Sequence, residues 1–275
     1  NRFRNYVNRH VTQIAENKLS VTKTFTFIAL LVLAIYLVLG IILYIKQRSF
    51  VFITPPETQD SQLDSFRFAS DDAVLKIWRL NTGNDNAIIY FGGNAEDPWY
   101  NHEAFEAIFP NHTVYLVNYR GYGGSTGAPS ETGLYSDALQ IFDSLQNTHD
   151  EISIIGRSLG SALATRVAAT RDVARVALIT PFDSLEQIAK GQYPFYPIKL
   201  MLKDKFPSIK NAANIKAPTL IIMAEDDNVV PKKNTERLIA EFGPIQLEIE
   251  TIKAVNHNTI ARDLRYADLL RSFIF

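Results

Sequence analysis

The sequence predicts an α/β fold built on a mostly parallel sheet and attached to a membrane by one N-terminal helix. Short apolar runs alternate with segments of helical spacing, which is typical of α/β proteins. Several of these runs are apolar throughout, as expected of strands buried on both faces of a sheet. An uncharged stretch, residues 25–45, predicts the membrane helix.

Composition sets limits on the classes of protein that this chain can represent. Of the 275 residues, about 50 belong to the tail and anchor, which leaves roughly 225 for one large domain. The net charge of −1 gives no electrostatic reason to expect nucleic acid as a partner. The absence of cysteine excludes disulfides, thiolate catalysis and zinc–thiolate sites.

The anchor is predicted from Phe25 to Ile45. At 1.5 Å per residue this helix spans about 30 Å, which is the thickness of a bilayer core. A buried core helix of that length would carry a polar face. A cleaved signal peptide would be shorter and would end in small residues, whereas this stretch ends Tyr44-Ile45-Lys46.

Basic residues flank the anchor unequally, and this asymmetry predicts its orientation. Two basic residues follow it closely, and five precede it: Arg2, Arg4, Arg9, Lys18 and Lys23. The excess favours a cytoplasmic N-terminus and a catalytic domain on the non-cytoplasmic side. The predicted organisation is a tail (1–24), a transmembrane helix (25–45), a linker (46–65) and a catalytic domain (66–275).

The alternation of strands and helices extends over the whole domain. Strands are predicted at Val74–Leu80, Ala87–Phe91, Thr113–Tyr119, Ile152–Ile155, Arg175–Thr180, Pro218–Met223 and Gln246–Thr251. Helices are predicted at Pro98–Phe109, Glu131–Gln146, Leu159–Arg171, Lys232–Phe242 and Asn258–Phe273. Residues 181–210 interrupt the pattern with prolines and aromatic residues. They are interpreted as a short lid facing the substrate or, alternatively, as a connection packed on the domain.

Ser158 is the predicted nucleophile, at the centre of Gly156-Arg157-Ser158-Leu159-Gly160. An apolar strand precedes this motif and an alanine-rich helix follows it. A serine on a sharp strand-to-helix turn has a strained backbone, and glycines two positions away on either side avoid clashes there. The N–H of Leu159, directly after the nucleophile, is a predicted oxyanion donor.

His257 is the predicted base. A serine hydroxyl needs a base, and in this type of site the base follows the nucleophile and the acid in the chain. His257 is the one histidine after Ser158, and it lies between the last strand and the C-terminal helix. The earlier histidines of the domain, His102, His112 and His149, are interpreted as surface residues.

Three aspartates are candidates for the acid that orients the base. Asp227 and Asp226 follow the strand that ends at Met223, and Asp227 begins an Asp-x-x-Val-Pro pattern, which favours it. Asp226 is interpreted as a loop or capping residue. Asp183 follows the preceding strand and is interpreted as the N-cap of a helix.

Two glycine-rich turns follow other predicted strands. Gly92-Gly93-Asn94-Ala95 can present a backbone N–H beside Ser158 and complete an oxyanion hole. The cluster from Arg120 to Gly127 lacks the Gly-Lys-Ser/Thr ending of a phosphate-binding loop, so we expect it to shape the rim of the site.

Together these motifs resemble the α/β-hydrolase superfamily over most of the chain after about residue 65. The likeness is greatest to the Bem46-like and ABHD13-like branch, small serine hydrolases with an N-terminal membrane anchor. It is carried by the Ser158 motif, Asp227, His257, the Gly92–Ala95 turn (usually His-Gly-Asn-Ala there) and the Asn118–Gly123 motif. It implies Ser158, Asp227 and His257 as the triad, N–H groups of Asn94 and Leu159 as the oxyanion hole, and no cofactor.

The predicted function is hydrolysis of a carboxylic ester or thioester, with a small-molecule or lipid-like acyl substrate presented near the bilayer. No metal site and no nucleic-acid partner are expected. Two alternatives remain open. One is a peptidase or amidase with the same triad, and the other is a binding module on the same fold, which would not need an intact triad.

Overall fold

The computed structural model describes residues 2–275. Of these, the residues up to Gln47 form one compact unit, and Arg48–Phe275 form another.

A single helix, α1 (Arg2–Val51), contains the predicted anchor. It extends beyond residues 25–45 in both directions. Its most apolar 18-residue window has none of its surface buried, which argues against the core-helix interpretation. Length and composition suit a membrane crossing, criteria that a signal sequence also meets.

The second unit contains an eight-stranded sheet with the strand order β1-β2-β4-β3-β5-β6-β7-β8. The bounds are β1 (Ser65–Ser70), β2 (Ala73–Leu80), β3 (Asn86–Phe91), β4 (Thr113–Val117), β5 (Glu151–Arg157), β6 (Val176–Ile179), β7 (Thr219–Ala224) and β8 (Leu247–Ile252). β2 runs antiparallel to both of its neighbours, and all the other pairs are parallel. The prediction of a mostly parallel sheet is confirmed.

Helices cover both faces of this sheet. Their bounds are α2 (His102–Ile108), α3 (Glu131–Leu145), α4 (Leu159–Ala168), α5 (Leu185–Gln192), α6 (Ile198–Met201), α7 (Ile209–Ala212), α8 (Lys232–Ile239) and α9 (Leu264–Ile274). One apolar core includes α3 and α4, and the other includes α2 and α9. Because strands β3 to β7 are buried on both faces, their side chains contribute to both cores.

The predicted linker, residues 46–65, ends where an unpredicted strand begins. Strand β1 (Ser65–Ser70) pairs with β2 at the edge of the sheet. Exposed and less exposed residues alternate along it. Phe66, Phe68 and Ser70 are the less exposed ones. Because only one face of this strand is buried, its sequence has no continuous apolar run like those that identified the central strands.

Residues 181–210 form three short helices, α5 to α7, joined by turns. Ser184 is the N-cap of α5, because its hydroxyl accepts a hydrogen bond from the N–H of Gln187 (3.2 Å). The prediction that Asp183 caps this helix is therefore wrong by one residue.

Candidate active site

Ser158 lies at the sharp turn between β5 and α4, with φ 50° and ψ −113°. Such a conformation is strained for a residue with a side chain. The neighbouring glycines make room for the turn. A Cβ atom on Gly160 would lie 1.9 Å from the carbonyl oxygen of Phe91, and one on Gly156 would lie 2.5 Å from the carbonyl oxygen of Gly160. Both positions are therefore closed to any larger residue.

We expect Gly160→Ala to destabilise the domain by about 3 kcal/mol, since the added methyl group forces β3 away from α4. Gly191→Ala is the matched control. Gly191 lies in α5, and a Cβ added there would have no atom within 4 Å, so alanine should be neutral or stabilising by up to about 1 kcal/mol. Thermal unfolding of both variants measures the difference, and equal midpoints would contradict the packing argument.

His257 connects Ser158 to Asp227. Its Nε2 lies 2.9 Å from Ser158 Oγ, and its Nδ1 lies 2.8 Å from Asp227 Oδ2. A carboxylate only accepts hydrogen bonds, so Nδ1 carries the proton and Nε2 accepts from the serine hydroxyl. The side chains of His257 and Asp227 are only 7% and 9% exposed, which shields this chain of hydrogen bonds from water.

Short turns fix the positions of Asp227 and His257, which both lie in loops. The other carboxylate oxygen of Asp227 accepts hydrogen bonds from the N–H groups of Val229 (2.9 Å) and Val230 (2.8 Å). The side chain of Asn256, directly before His257, accepts from the N–H groups of Asn258 and Thr259. These local hydrogen bonds hold both loops at the carboxyl edge of the sheet.

The alternative acids lie elsewhere. Asp226 is exposed, and its side chain forms no hydrogen bond or ion pair within the described part of the chain. Asp183 is buried, where its carboxylate accepts from the side chains of Asn234 (2.8 Å) and Arg237 (2.7 Å). Asp183 therefore holds α8 against the start of the 181–210 segment.

A cavity of about 240 Å³ opens beside Ser158. Its lining residues are Gly93, Asn94, Ala95, Glu96, Arg157, Ser158, His257 and Asn258. No residue of the predicted lid lines it, and Leu159 does not line it either, although Leu159 adjoins Ser158 as the first residue of α4. Within residues 2–275, the N–H groups of Asn94 and Leu159 donate to no backbone acceptor, as the predicted oxyanion role requires.

Glu96 and Arg157 form a network that the sequence interpretation missed. One Glu96 oxygen accepts from the N–H of Gly93 (2.6 Å) and from Arg157 Nη1 (3.1 Å). The other accepts from the hydroxyl of Tyr90 (2.5 Å) and from Asn101 Nδ2 (2.7 Å). Burial and the nearby Glu96 charge raise the pKa of Tyr90 well above its usual value, so the hydroxyl stays a donor.

Arg157 links the two sides of the site. Beyond its ion pair with Glu96, its Nη2 donates to the carbonyl oxygen of His257 (3.1 Å). The loop after β3 and the histidine loop are thus tied through one guanidinium group. The sequence contains one sign of this network. Arg157 is a charged residue at the end of a buried strand, and a buried charge requires a partner.

Two tyrosines hold the loop after β3 from the other side: Tyr119, which ends the predicted strand, and Tyr122, which lies in the predicted rim cluster. The hydroxyl of Tyr119 donates to the carbonyl oxygen of Gly92 (2.6 Å), and that of Tyr122 donates to the side-chain oxygen of Asn94 (2.8 Å). The positive φ of Gly121 and Gly123 lets the chain turn back between and after these tyrosines. This arrangement agrees with the expectation that the cluster shapes the rim.

The other histidines of the domain lie away from Ser158. His102 bonds to the carbonyl oxygen of Trp99, and His149 bonds to the hydroxyl of Tyr115. His112 was interpreted as a surface residue, but it is buried and packs against Phe275. Burial lowers its pKa, so it behaves as an aromatic core residue. Among the described residues, no group of three or more His, Cys, Asp or Glu is arranged to hold a metal ion.

Parts of this sequence match known proteins. Residues 86–208 match a family model described as alpha/beta hydrolase fold. An uncharacterized protein of Mycobacterium tuberculosis is 35% identical over 181 residues, which are 64% of each chain. The lysophosphatidylserine lipase ABHD12 of Macaca fascicularis is 32% identical over 180 residues, which are 57% of this chain and 45% of that protein. The chain thus spans less than two thirds of these relatives.

Solved structures show the same architecture. The Pyrococcus furiosus esterase Pf2001 superposes with a TM-score of 0.64 at 17% identity, over 81% of this chain and 98% of that one. The enol-lactonase of Burkholderia xenovorans gives a TM-score of 0.60 at 16% identity, over 76% and 99% of the two chains. At such identities the likeness shows the fold alone, and it confirms the fold predicted from the sequence.

Proposed function

We propose that this chain is a serine hydrolase of the α/β-hydrolase superfamily, which cleaves a carboxylic ester or thioester. The observation that carries the proposal is the buried chain of hydrogen bonds from Ser158 through His257 to Asp227. The match of residues 86–208 to the alpha/beta hydrolase fold model supports hydrolysis as the activity, and this geometry supports serine as the nucleophile.

The geometry supports an acyl-enzyme mechanism. His257 Nε2 takes the proton of Ser158 as Oγ attacks the carbonyl carbon, and Asp227 stabilises the resulting imidazolium. The N–H groups of Asn94 and Leu159 would donate to the oxyanion. His257 then gives its proton to the leaving alcohol or thiol, and next takes one from the water that hydrolyses the acyl-enzyme.

Two considerations favour an acyl substrate near a membrane. One relative bears the name of a lysophosphatidylserine lipase, and one structural neighbour bears that of an esterase. Helix α1 also suits a membrane crossing, which would hold the domain close to lipid. We accordingly propose a single-pass anchor at 25–45. The excess of basic residues before it favours a domain (66–275) on the non-cytoplasmic side. Protease accessibility of the domain in sealed spheroplasts or microsomes tests this orientation.

Hydrolysis by the purified full chain tests the reaction class. We expect turnover of p-nitrophenyl esters or acyl-coenzyme A thioesters, with little on peptide p-nitroanilides. Cleavage confined to the anilides would replace this proposal with a peptidase using the same three residues. Ligand binding without turnover of any substrate would indicate a binding module.

We expect Glu96→Gln to lower kcat by about 10- to 100-fold with a smaller change in KM, because it loosens both loops at the site. The amide removes the charge that pairs with the largely buried Arg157. Glu103→Gln is the control, since Glu103 is exposed on α2. Steady-state kinetics on a short-chain ester separates the two parameters. Equal kcat values for both variants would show that the network does not position the site.

A further inference from the structure

The segment Tyr193–Lys203 exposes three large apolar side chains within eight residues of sequence. Phe195 is 85% exposed, Leu200 is 83% exposed and Tyr193 is 40% exposed. The prolines between them, Pro194 and Pro197, are exposed as well. Contiguous exposed apolar groups of this kind mark surfaces that contact a membrane or another molecule.

Other residues in and beside this segment are buried and hold it against the domain. Ile198, in the same short helix as Leu200, is buried, and so is Phe206 just beyond the segment. Phe206 packs against Phe52 with ring centroids 6.1 Å apart. The segment is therefore fixed to the domain by its inward residues, which leaves Phe195 and Leu200 on the outer side.

Asp204 joins the segment to Arg48, the first residue of the domain unit. Its carboxylate accepts from Arg48 Nε (2.9 Å) and from the N–H of Glu131, the first residue of α3 (2.8 Å). Arg48 lies three residues along the chain from Ile45, the end of the proposed membrane span. Because α3 begins after the carboxyl end of β4, the segment also lies at the edge of the sheet that carries Ser158.

The charge of the segment suits a lipid surface. Lys199 is exposed, whereas the acid of the same stretch, Asp204, is buried in the ion pair with Arg48. Lysines beside Phe, Tyr and Leu are typical of protein segments that lie in the headgroup region of a bilayer. The exposed ammonium group of Lys199 favours anionic headgroups, and the apolar side chains favour the acyl boundary.

We propose that Tyr193–Lys203 is a second membrane contact, which inserts Phe195 and Leu200 into the same bilayer leaflet that α1 leaves. The inference rests on the proposed membrane anchor. It gives the 181–210 segment a role in docking the domain on lipid, in keeping with its absence from the lining of the cavity beside Ser158. An acyl substrate would then reach the site from the leaflet at the same edge of the sheet.

Single-cysteine labelling of the full chain tests the contact directly, because the natural sequence contains no cysteine. Leu200→Cys, Asn147→Cys and Leu33→Cys are each labelled with the fluorophore NBD. The variants are then reconstituted in vesicles of phosphatidylcholine and phosphatidylglycerol. Asn147 is the matched surface control, since it is exposed in the turn before β5, at the opposite edge of the sheet. Leu33 reports whether α1 is inserted.

We expect the Leu200 label to show blue-shifted emission and quenching by lipids with a nitroxide near the headgroup, and the Asn147 label to show neither. Quenching at Leu33 with water-like emission at Leu200 would overturn the second contact while the anchor stands, and would point to a protein partner or free solvent. Water-like emission at Leu33 would overturn both. None of these readouts depends on catalytic activity, so they are independent of the hydrolase assignment.

Discussion

Ser158→Ala is expected to lower kcat for ester hydrolysis by about 10⁴- to 10⁶-fold, the largest effect of any single change in this chain. Removing Oγ removes the atom that forms the acyl-enzyme, and His257 keeps its hydrogen bond to Asp227 but has no nucleophile to activate. Steady-state turnover of a p-nitrophenyl ester by the purified full chain measures the effect.

The control for this variant is Ser161→Ala, three residues along in α4. The Ser161 hydroxyl donates to the carbonyl oxygen of Ser158 (2.6 Å), so its loss removes a local hydrogen bond and leaves the nucleophile in place. A change of less than about 10-fold is expected there, because one hydrogen bond contributes about 1 kcal/mol. Turnover of Ser158→Ala within 10-fold of the parent protein would mean that another group attacks the substrate.

Asp227→Asn is expected to lower kcat by about 10⁴-fold. The asparagine preserves the shape of the site, but its amide can donate to His257 Nδ1 and so favour the wrong imidazole tautomer. Nε2 would then carry a proton and be unable to accept one from Ser158. Steady-state kinetics of ester hydrolysis by Asp227→Asn and the parent protein measures the loss.

Asp226→Asn is the natural comparison because the two aspartates are adjacent and differ in burial. Asp226 is exposed, whereas Asp227 lies against His257. We expect Asp226→Asn to retain kcat within about 2-fold, as is usual for a surface change. Loss of activity in Asp226→Asn together with retention in Asp227→Asn would reverse the assignment of the acid.

The parts of the fold that sequence predicts best are those whose pattern is local. Continuous apolar runs such as Ile88–Phe91 indicated buried parallel strands, and the structure contains them within one or two residues of the predicted bounds. Strand β1 was missed because only one face of Ser65–Ser70 is buried. The glycines on either side of Ser158 predicted the sharp turn correctly. Gly160 lies so close to Phe91 that no larger residue fits at this position.

Interactions between distant segments account for what the sequence did not reveal. Glu96 and Arg157 are 61 positions apart, and only the parallel pairing of β3 with β5 brings them together. His112 was assigned to the surface because a histidine in a polar turn has no local sign of burial; the C-terminal Phe275 covers it. The roles of Ser158, Asp227 and His257 stay predictions that the variants above test, although the structure brings these side chains together.

The site of covalent modification by a fluorophosphonate tests the central claim most directly. The full chain is treated with the probe, digested and mapped by mass spectrometry, with Ser158→Ala and His257→Ala alongside. We predict a single adduct on the peptide that contains Ser158, absent from Ser158→Ala and strongly reduced in His257→Ala. An adduct of equal yield in Ser158→Ala, or one on another serine of the parent chain, would contradict the account.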